Sequence, residues 1–216
     1  RLHTMGRRIF LKLVCFGDEH VYGDDKVGKF LSYRLKIPYD NLAQPDTSNQ
    51  KIFTTVMRYV LENISNDMFV LIGWTNANRF DVEYEGDYFT YRPDKNEYPV
   101  KRVNMLHSSD DYIFNDKVVH GEWVSCAISL QETLKMFGVN YYMYNTHDYI
   151  KYNDDTAKST RVLDMTRYHN PINLDSSFYH WGKLRNYTDQ GNTLETKAHE
   201  HWAKFIHSKI NSARLL

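Results

Sequence analysis

The stretch FGDEHVYG, residues 16 to 23, sets Asp18, Glu19 and His20 directly behind an apolar run that begins at Ile9. Side chains of these types in one loop fit three roles. Glu19 could act as a nucleophile or general base with Asp46 as its partner carboxylate, as in glycoside hydrolysis. Asp18, Glu19, His20, Asp24 and Asp25 could together offer ligands to a hard metal ion. The plainest role is a solvated acidic helix start, with Asp24 and Asp25 facing the positive end of the helix dipole. There is no Asp-x-Asp-x-Asp-Gly loop and no His-Glu-x-x-His helix in the sequence, and without such spacing the third reading is the expectation, with no metal and no cofactor.

A second group of polar residues lies in LIGWTNANR, residues 71 to 79. Asn76 and Asn78 are side-chain amide donors, and Arg79 either holds an anionic ligand group or closes a salt bridge. Trp74 is expected at the mouth of a cleft, since ligand clefts are commonly lined by aromatics. His107, His120, His169 and His180 are scattered, with nothing in the spacing to pair them. Trp181 and Lys183 in FYHWGKLRNY form at most a small stacking patch, too poor in basic residues to indicate nucleic acid.

Regular elements must present these residues. The run Ile9 to Phe16 reads as a strand, and KVGKFLSYRLKI puts Val27, Phe30, Leu31 and Leu35 on one helical face before Pro38. A short strand is predicted at Asp40 to Ala43. A helix follows over Gln50 to Asn63, capped by Ser48 or Asn49. MFVLIGW, residues 68 to 74, has no alternation, as expected of a central strand covered on both faces. RFDVEYEGDYFTYRP alternates around a turn at Glu85-Gly86-Asp87, and Asp94 to Asp116 lacks periodicity. A long helix is predicted from about Val118 to Phe137, then a strand in VNYYMYN, irregular short helices over Asp154 to Trp181, and a last helix over Glu195 to Ile210. Strands alternating with helices give an α/β three-layer sandwich with a parallel, flavodoxin-like sheet of about five strands. Residues 1–216 then form a single domain with an excursion at about 79–116. In such sheets ligands sit beyond the carboxyl ends of the strands.

Three loops should open at that edge: FGDEHVYG, LAQPDTSN at Leu42 to Asn49, and LIGWTNANR. Their order, together with DQGNTLETKAHEHWAKFI at Asp189 to Ile206, resembles the four sequence blocks of the SGNH (GDSL-type) hydrolases, especially phage-encoded or bacterial members of unknown substrate. The resemblance runs from about Lys12 to Ile210. It implies an SGNH-type sheet and a serine nucleophile after Gly-Asp, but the matching position holds Glu19. It implies a glycine amide in the second block, matched by Asp46, and an asparagine donor in the third, matched by Asn76 with Asn78 next in line. It implies an aspartate and a histidine ahead of the last helix, and these places fall at Gln190 and Thr193. A carboxylate lacks the hydroxyl needed for acyl attack. The resemblance therefore implies a degraded catalytic set whose cleft, formed by Asp18, Glu19, His20, Asp46, Trp74, Asn76, Asn78, Arg79 and Thr193, binds a small-molecule ester or carbohydrate ligand or a protein partner. The alternative is an active hydrolase of acyl or carbohydrate esters with a rearranged set. A shifted alignment supplies it, with Glu19, Asn76 and His199 as the catalytic residues and Asp189 or Glu195 beside His199. His201 lies in the same helix.

Lysine plus arginine and aspartate plus glutamate each number 27, so no global field draws the chain to nucleic acid or an anionic membrane. Lys12 interrupts the first apolar stretch, no cleavage site follows it, and no run approaches the roughly 20 apolar residues of a spanning helix. No membrane association and a cytoplasmic place are expected, in the host cell for a phage-encoded chain, and the oligomeric state is left open. Residues Arg1 to Thr4, ahead of Met5, carry no functional weight. Cys15 and Cys126 lack ligand spacing and read as reduced, buried thiols. The 17 tyrosines suit half-wet surfaces, as a binding face or as exposed sheet edges.

Overall fold

The computed structural model describes residues 12–64, 67–84, 87–91, 116–151, 154–190 and 193–215. The first residues of the predicted first strand, the turn residues 85–86 and most of the expected excursion, with His107, lie outside the described residues.

Four parallel strands, β1 (Lys12–Phe16), β2 (Tyr39–Asn41), β3 (Met68–Trp74) and β6 (Asn140–Asn145), form one sheet in the order β2-β1-β3-β6. β4 (Phe80–Tyr84) and β5 (Asp87–Tyr91) pair as a separate antiparallel hairpin. The helices are α1 (Val27–Leu35), α2 (Asn49–Glu62), α3 (Asp116–Met136), α4 (Asp154–Thr160), α5 (Phe178–Leu184) and α6 (Thr196–Ser212). The continuous apolar runs of β1 and β3 follow from burial on both faces. Val14, Phe16, Val70, Ile72 and Trp74 pack with α2 and α3, whereas Leu13, Cys15, Phe69 and Leu71 pack with α1 and α6. Each buried aliphatic side chain contributes about 1.5–3 kcal/mol, and the two cores make the three layers.

Among the described residues the sheet has four strands, where about five were expected. The outer edge of β6 carries only a parallel bridge between Met143 and Tyr168, in which Met143 N donates to Arg167 O and His169 N to Met143 O. After that bridge the chain turns at Asn170, whose φ is 32°, and leaves the sheet. Both cysteines are free; Cys15 is buried, but Cys126 is half-exposed with its thiol 3.4 Å from Gln50 Oε1.

Because β2 and β3 flank β1 on opposite sides, the chain reverses its direction of build between β1 and β3, and their carboxyl ends diverge at a topological switch point. That crevice is tightly closed at its base. A Cβ on Gly17, whose φ is +155°, would meet Val21 Cγ2 at 2.5 Å and Gly73 O at 2.8 Å. A Cβ on Gly73 would meet Thr146 Cγ2 and Val21 Cγ2, each at 2.7 Å. Ser48 caps α2 by accepting from Lys51 N at 3.0 Å, and its hydroxyl donates to Asp81 Oδ2 at 2.6 Å. Asp81 also accepts from Thr90 Oγ1, so one carboxylate ties the hairpin together and to the start of α2.

Gly17→Ala is therefore expected to lower the unfolding free energy by about 1–3 kcal/mol. In α3, an added methyl at Gly121 meets nothing within 4 Å, and Gly121→Ala should raise the unfolding free energy by up to about 1 kcal/mol. Urea denaturation of the two variants checks the contrast; a neutral Gly17→Ala would contradict the close approach of β1 and β3.

Candidate functional site

The backbone leaving β1 makes a single turn, with Val21 N and Tyr22 N both donating to Asp18 O. Asp18 points inward and is fully buried. Its Oδ2 lies 2.6 Å from Thr146 Oγ1 and its Oδ1 accepts from His20 N at 2.9 Å. The carboxylate thus fastens the end of β1 to the end of β6, and buried carboxylates need such donors. Glu19 and His20 are left on the outer side of the turn.

Glu19 meets Arg79, from the loop after β3. The guanidinium grips both carboxylate oxygens, Nη1 on Oε2 at 2.7 Å and Nη2 on Oε1. The Arg79 side chain is 8% exposed and that of Glu19 34%. Burial pushes the Glu19 carboxyl upward, but the hydrogen bonds and charge of Arg79, with smaller help from its own backbone amide and His20, hold it at about 2. Arg79 is placed by its own loop. Asn76 Oδ1 accepts from Asn78 N at 2.9 Å and Asn76 O accepts from Arg79 N at 3.2 Å, an Asx turn that aims the arginine back at β1. Below it, Asn49 and Thr75 exchange two hydrogen bonds, Asn49 Nδ2 to Thr75 O and Thr75 N to Asn49 Oδ1, locking the end of β3 to the first residue of α2.

A cluster of rings surrounds His20. His147 stacks on it with centroids 5.7 Å apart, and Tyr179 lies 4.5 Å from His147 and 5.9 Å from His20. His180 is 6.1 Å from His147. Tyr179 is delivered there because its amide donates to Thr146 O at 2.8 Å, joining the start of α5 to the end of β6. Burial lowers the affinity of His147 for a proton, and the neighbouring His20 lowers it further; burial does the same at His180.

His199, in the second turn of α6, is 1% exposed and packs 4.8 Å from the Phe178 ring. Its Nε2 lies 3.4 Å from Lys26 Nζ. An ammonium only donates, so the imidazole proton sits on Nδ1, which is buried and has no partner. Burial, then the charges of Lys26 and His20, push His199 down to about 3. Its Nε2 faces Lys26, and among the described residues its ring makes no hydrogen bond to Glu19 or a serine.

The remaining expected residues are dispersed. Trp74 does not line a cleft: it is fully buried in the core beneath α2 and α3, because strand alternation sends residue 74 to the same face as Val70 and Ile72. Asp46 is half-buried with φ of 52°, a glycine-like backbone in the place matched to a glycine. Asn78 Oδ1 is buried without a partner. Thr193 is exposed, and its amide donates to Asp189 Oδ1 in a small hairpin closed by the Thr188–Leu194 bridge. Ser48 is buried as a helix cap, with no access for a substrate. Among the described residues no group of three or more His, Cys, Asp or Glu side chains is disposed to hold a metal ion. Sequence reasoning passed over Thr146, His147 and Tyr179. The signal was available, since THDY follows a predicted strand and belongs to a fourth strand-end loop at the same edge.

As arranged, the edge has an ionised carboxylate neutralised by arginine, a buried neutral imidazole and a half-buried set of rings. The described hydroxyls there that meet a carboxylate, Thr146 on Asp18 and Ser48 on Asp81, are buried. The buried imidazole also has a stability signature. His199 is depressed below its unfolded value, so beneath about pH 6.5 the unfolded chain takes up a proton that the folded chain refuses until about pH 3. Stability should fall with falling pH by about 1.4 kcal/mol per unit for this group. His199→Gln, which keeps an acceptor for Lys26, should remove that share of the slope in urea titrations between about pH 6.5 and 5; an unchanged slope would contradict the burial of a neutral His199.

No protein-family model and no curated protein sequence matches the chain. Solved structures do. TesA superposes with a TM-score of 0.51 at 11% identity, covering 95% of this chain and 99% of that one. A carbohydrate esterase family 2 enzyme with a carbohydrate-binding domain from Corynascus thermopiles (Myceliophthora fergusii) gives 0.50 at 10% identity, over 94% of this chain and 66% of that one. A GDSL-like lipase from Bacteroides thetaiotaomicron VPI-5482 gives 0.47 at 12% identity, over 94% and 89%. Identities this low bear on architecture alone, and on that level the parallel sheet with its flanking helices has the SGNH-type hydrolase fold.

Proposed function

We propose that this chain has lost serine-esterase chemistry and uses the carboxyl edge of its sheet to bind a ligand, a carbohydrate or small ester in the first instance. The observation that carries the reading is the Glu19–Arg79 pair. Where a nucleophilic hydroxyl would stand there is a carboxylate with both oxygens engaged, which makes it a poor nucleophile. Held at about 2, it is also far from the near-neutral pKa that suits general acid or base work. Arg79 is always charged, so the pair persists over the physiological range. The edge keeps ligand-binding character: the rings of His20, His147 and Tyr179 are half-buried and offer apolar faces beside polar groups, the mixed lining of a ligand site. A protein partner on the same rim is a further outcome of binding screens.

The alternative catalytic set of Glu19, Asn76 and His199 gains little support, because His199 contacts Lys26 from a buried position. The wild-type chain should hydrolyse p-nitrophenyl acetate no faster than an unrelated protein of equal histidine content and should take no label from a fluorophosphonate. Glu19→Ser alone should remain unlabelled. Saturable turnover that disappears in Glu19→Gln would overturn the proposal. For binding, ligands drawn from a glycan array should lose roughly tenfold in affinity, about 1.4 kcal/mol, in Tyr179→Ala; affinities indifferent to Tyr179, His147 and His20 would remove this edge as the binding surface.

A further inference from the structure

A second concavity lies away from the sheet's carboxyl edge. His199 and Lys209 are ten residues apart on α6, about 15 Å along the axis, and Lys209 lies toward the opposite end of the sheet. There, between the last turns of α6 and the segment following Met165, a groove of about 710 Å³ is lined by Tyr142, Met165, Tyr168, His169, Ile172 and Lys209, with Ser212 beside the lysine. That volume is within the range of small-molecule sites, about 300–1,000 Å³.

Three features give the groove a chemistry. Met165 and Ile172 are 45% and 38% exposed, so its walls present aliphatic surface to solvent. Lys209 is the single formal cation among the described lining residues, none of which is a carboxylate, and its Nζ lies 5.3 Å from the Phe205 ring centroid. His169 closes the floor against Phe205 at 4.7 Å and Trp202 at 5.6 Å. Burial first, and the charge of Lys209 second, keep this imidazole neutral down to about pH 4. The lining is therefore mixed: Met165, Ile172 and the rings of Tyr142, Tyr168 and His169 supply apolar surface, Thr166, Asn170 and Ser212 are polar, and Lys209 carries the one formal charge among the described lining residues.

We propose that this groove is a binding site for a carboxylate carried on an aliphatic chain, with the chain along Met165, Ile172 and His169 and the carboxylate on Lys209. A monoanion matches the lone ammonium in charge, and an apolar tail matches the exposed surface of Met165 and Ile172. The site is independent of the Glu19–Arg79 edge.

Sodium decanoate, kept well below its self-association range, is the probe. Calorimetric titration of the full chain, with Trp202 fluorescence as a second readout, should show saturable binding at one site, and decanol should bind about tenfold more weakly. Lys209→Met should lower decanoate affinity by about tenfold and leave decanol unchanged. Met165→Asp, at an exposed position, should abolish both. Absence of saturable binding, or decanoate affinity that is unchanged in Lys209→Met, would overturn the proposal, as would affinity lost in Arg79→Ala instead, which would move the ligand to the other edge.

Discussion

Arg79 and Glu19 are sixty residues apart in sequence and come from the ends of the two strands that flank the switch point, so their ion pair decides what the crevice between them can be. A partly buried guanidinium without a partner is strongly disfavoured, and a bidentate carboxylate satisfies it in geometry as well as charge. With the arginine 8% exposed and the carboxylate 34%, the pair is anchored from the protein side and faces solvent through Glu19. The loop after β3 is built to deliver it: the Asx turn at Asn76 and the Asn49–Thr75 exchange leave the arginine backbone little freedom.

The strand ends beneath the pair are drawn together by a second constraint. Gly17 and Gly73 allow β1, β3 and Val21 to approach more closely than any side chain would permit, and the buried Asp18–Thr146 contact joins the same ends to β6. The result is an edge in which Asp18, Glu19 and Arg79 are engaged with one another's strand ends, while Asn78 Oδ1 and His199 Nδ1 are buried without partners. A reacting site needs an acid, base or nucleophile with unspent capacity. This edge instead spends Glu19 on Arg79 and His199 on Lys26, while its ring cluster remains half-open. The groove at the far end of α6 differs in character, with Met165 and Ile172 exposed in its lining and Lys209 as the one formal charge among the described lining residues.

Much of the fold was legible in the sequence because burial on both faces of a parallel sheet leaves unbroken apolar runs. MFVLIGW was read to its last residue, and the helices were read within one or two residues at most ends. The sheet is one strand short of the five or so expected: beyond β6, among the described residues, only Tyr168 joins the ladder before the chain turns at Asn170. The site was legible in part. Loop order placed Glu19 and Arg79 at one edge, and the salt-bridge role of Arg79 was among its readings. Trp74 was misread because an uninterrupted apolar strand conceals which face its last residue takes. The ring cluster was missed because His20, His147 and Tyr179 are brought together by long-range contacts, the Tyr179 amide on Thr146 above all, and no local spacing announces them.

The account rests on Glu19 being permanently ionised in the grip of Arg79. The direct measurement is the side-chain carboxyl carbon shift of Glu19, followed by NMR from about pH 7 downward and assigned by its loss in Glu19→Gln. It should stay at its ionised value through the ordinary glutamate range, around pH 4.3, and move only as pH approaches about 2. A midpoint at or above the ordinary value would mean a carboxyl free to exchange protons, and would contradict the proposal that the ion pair closes this site to catalysis.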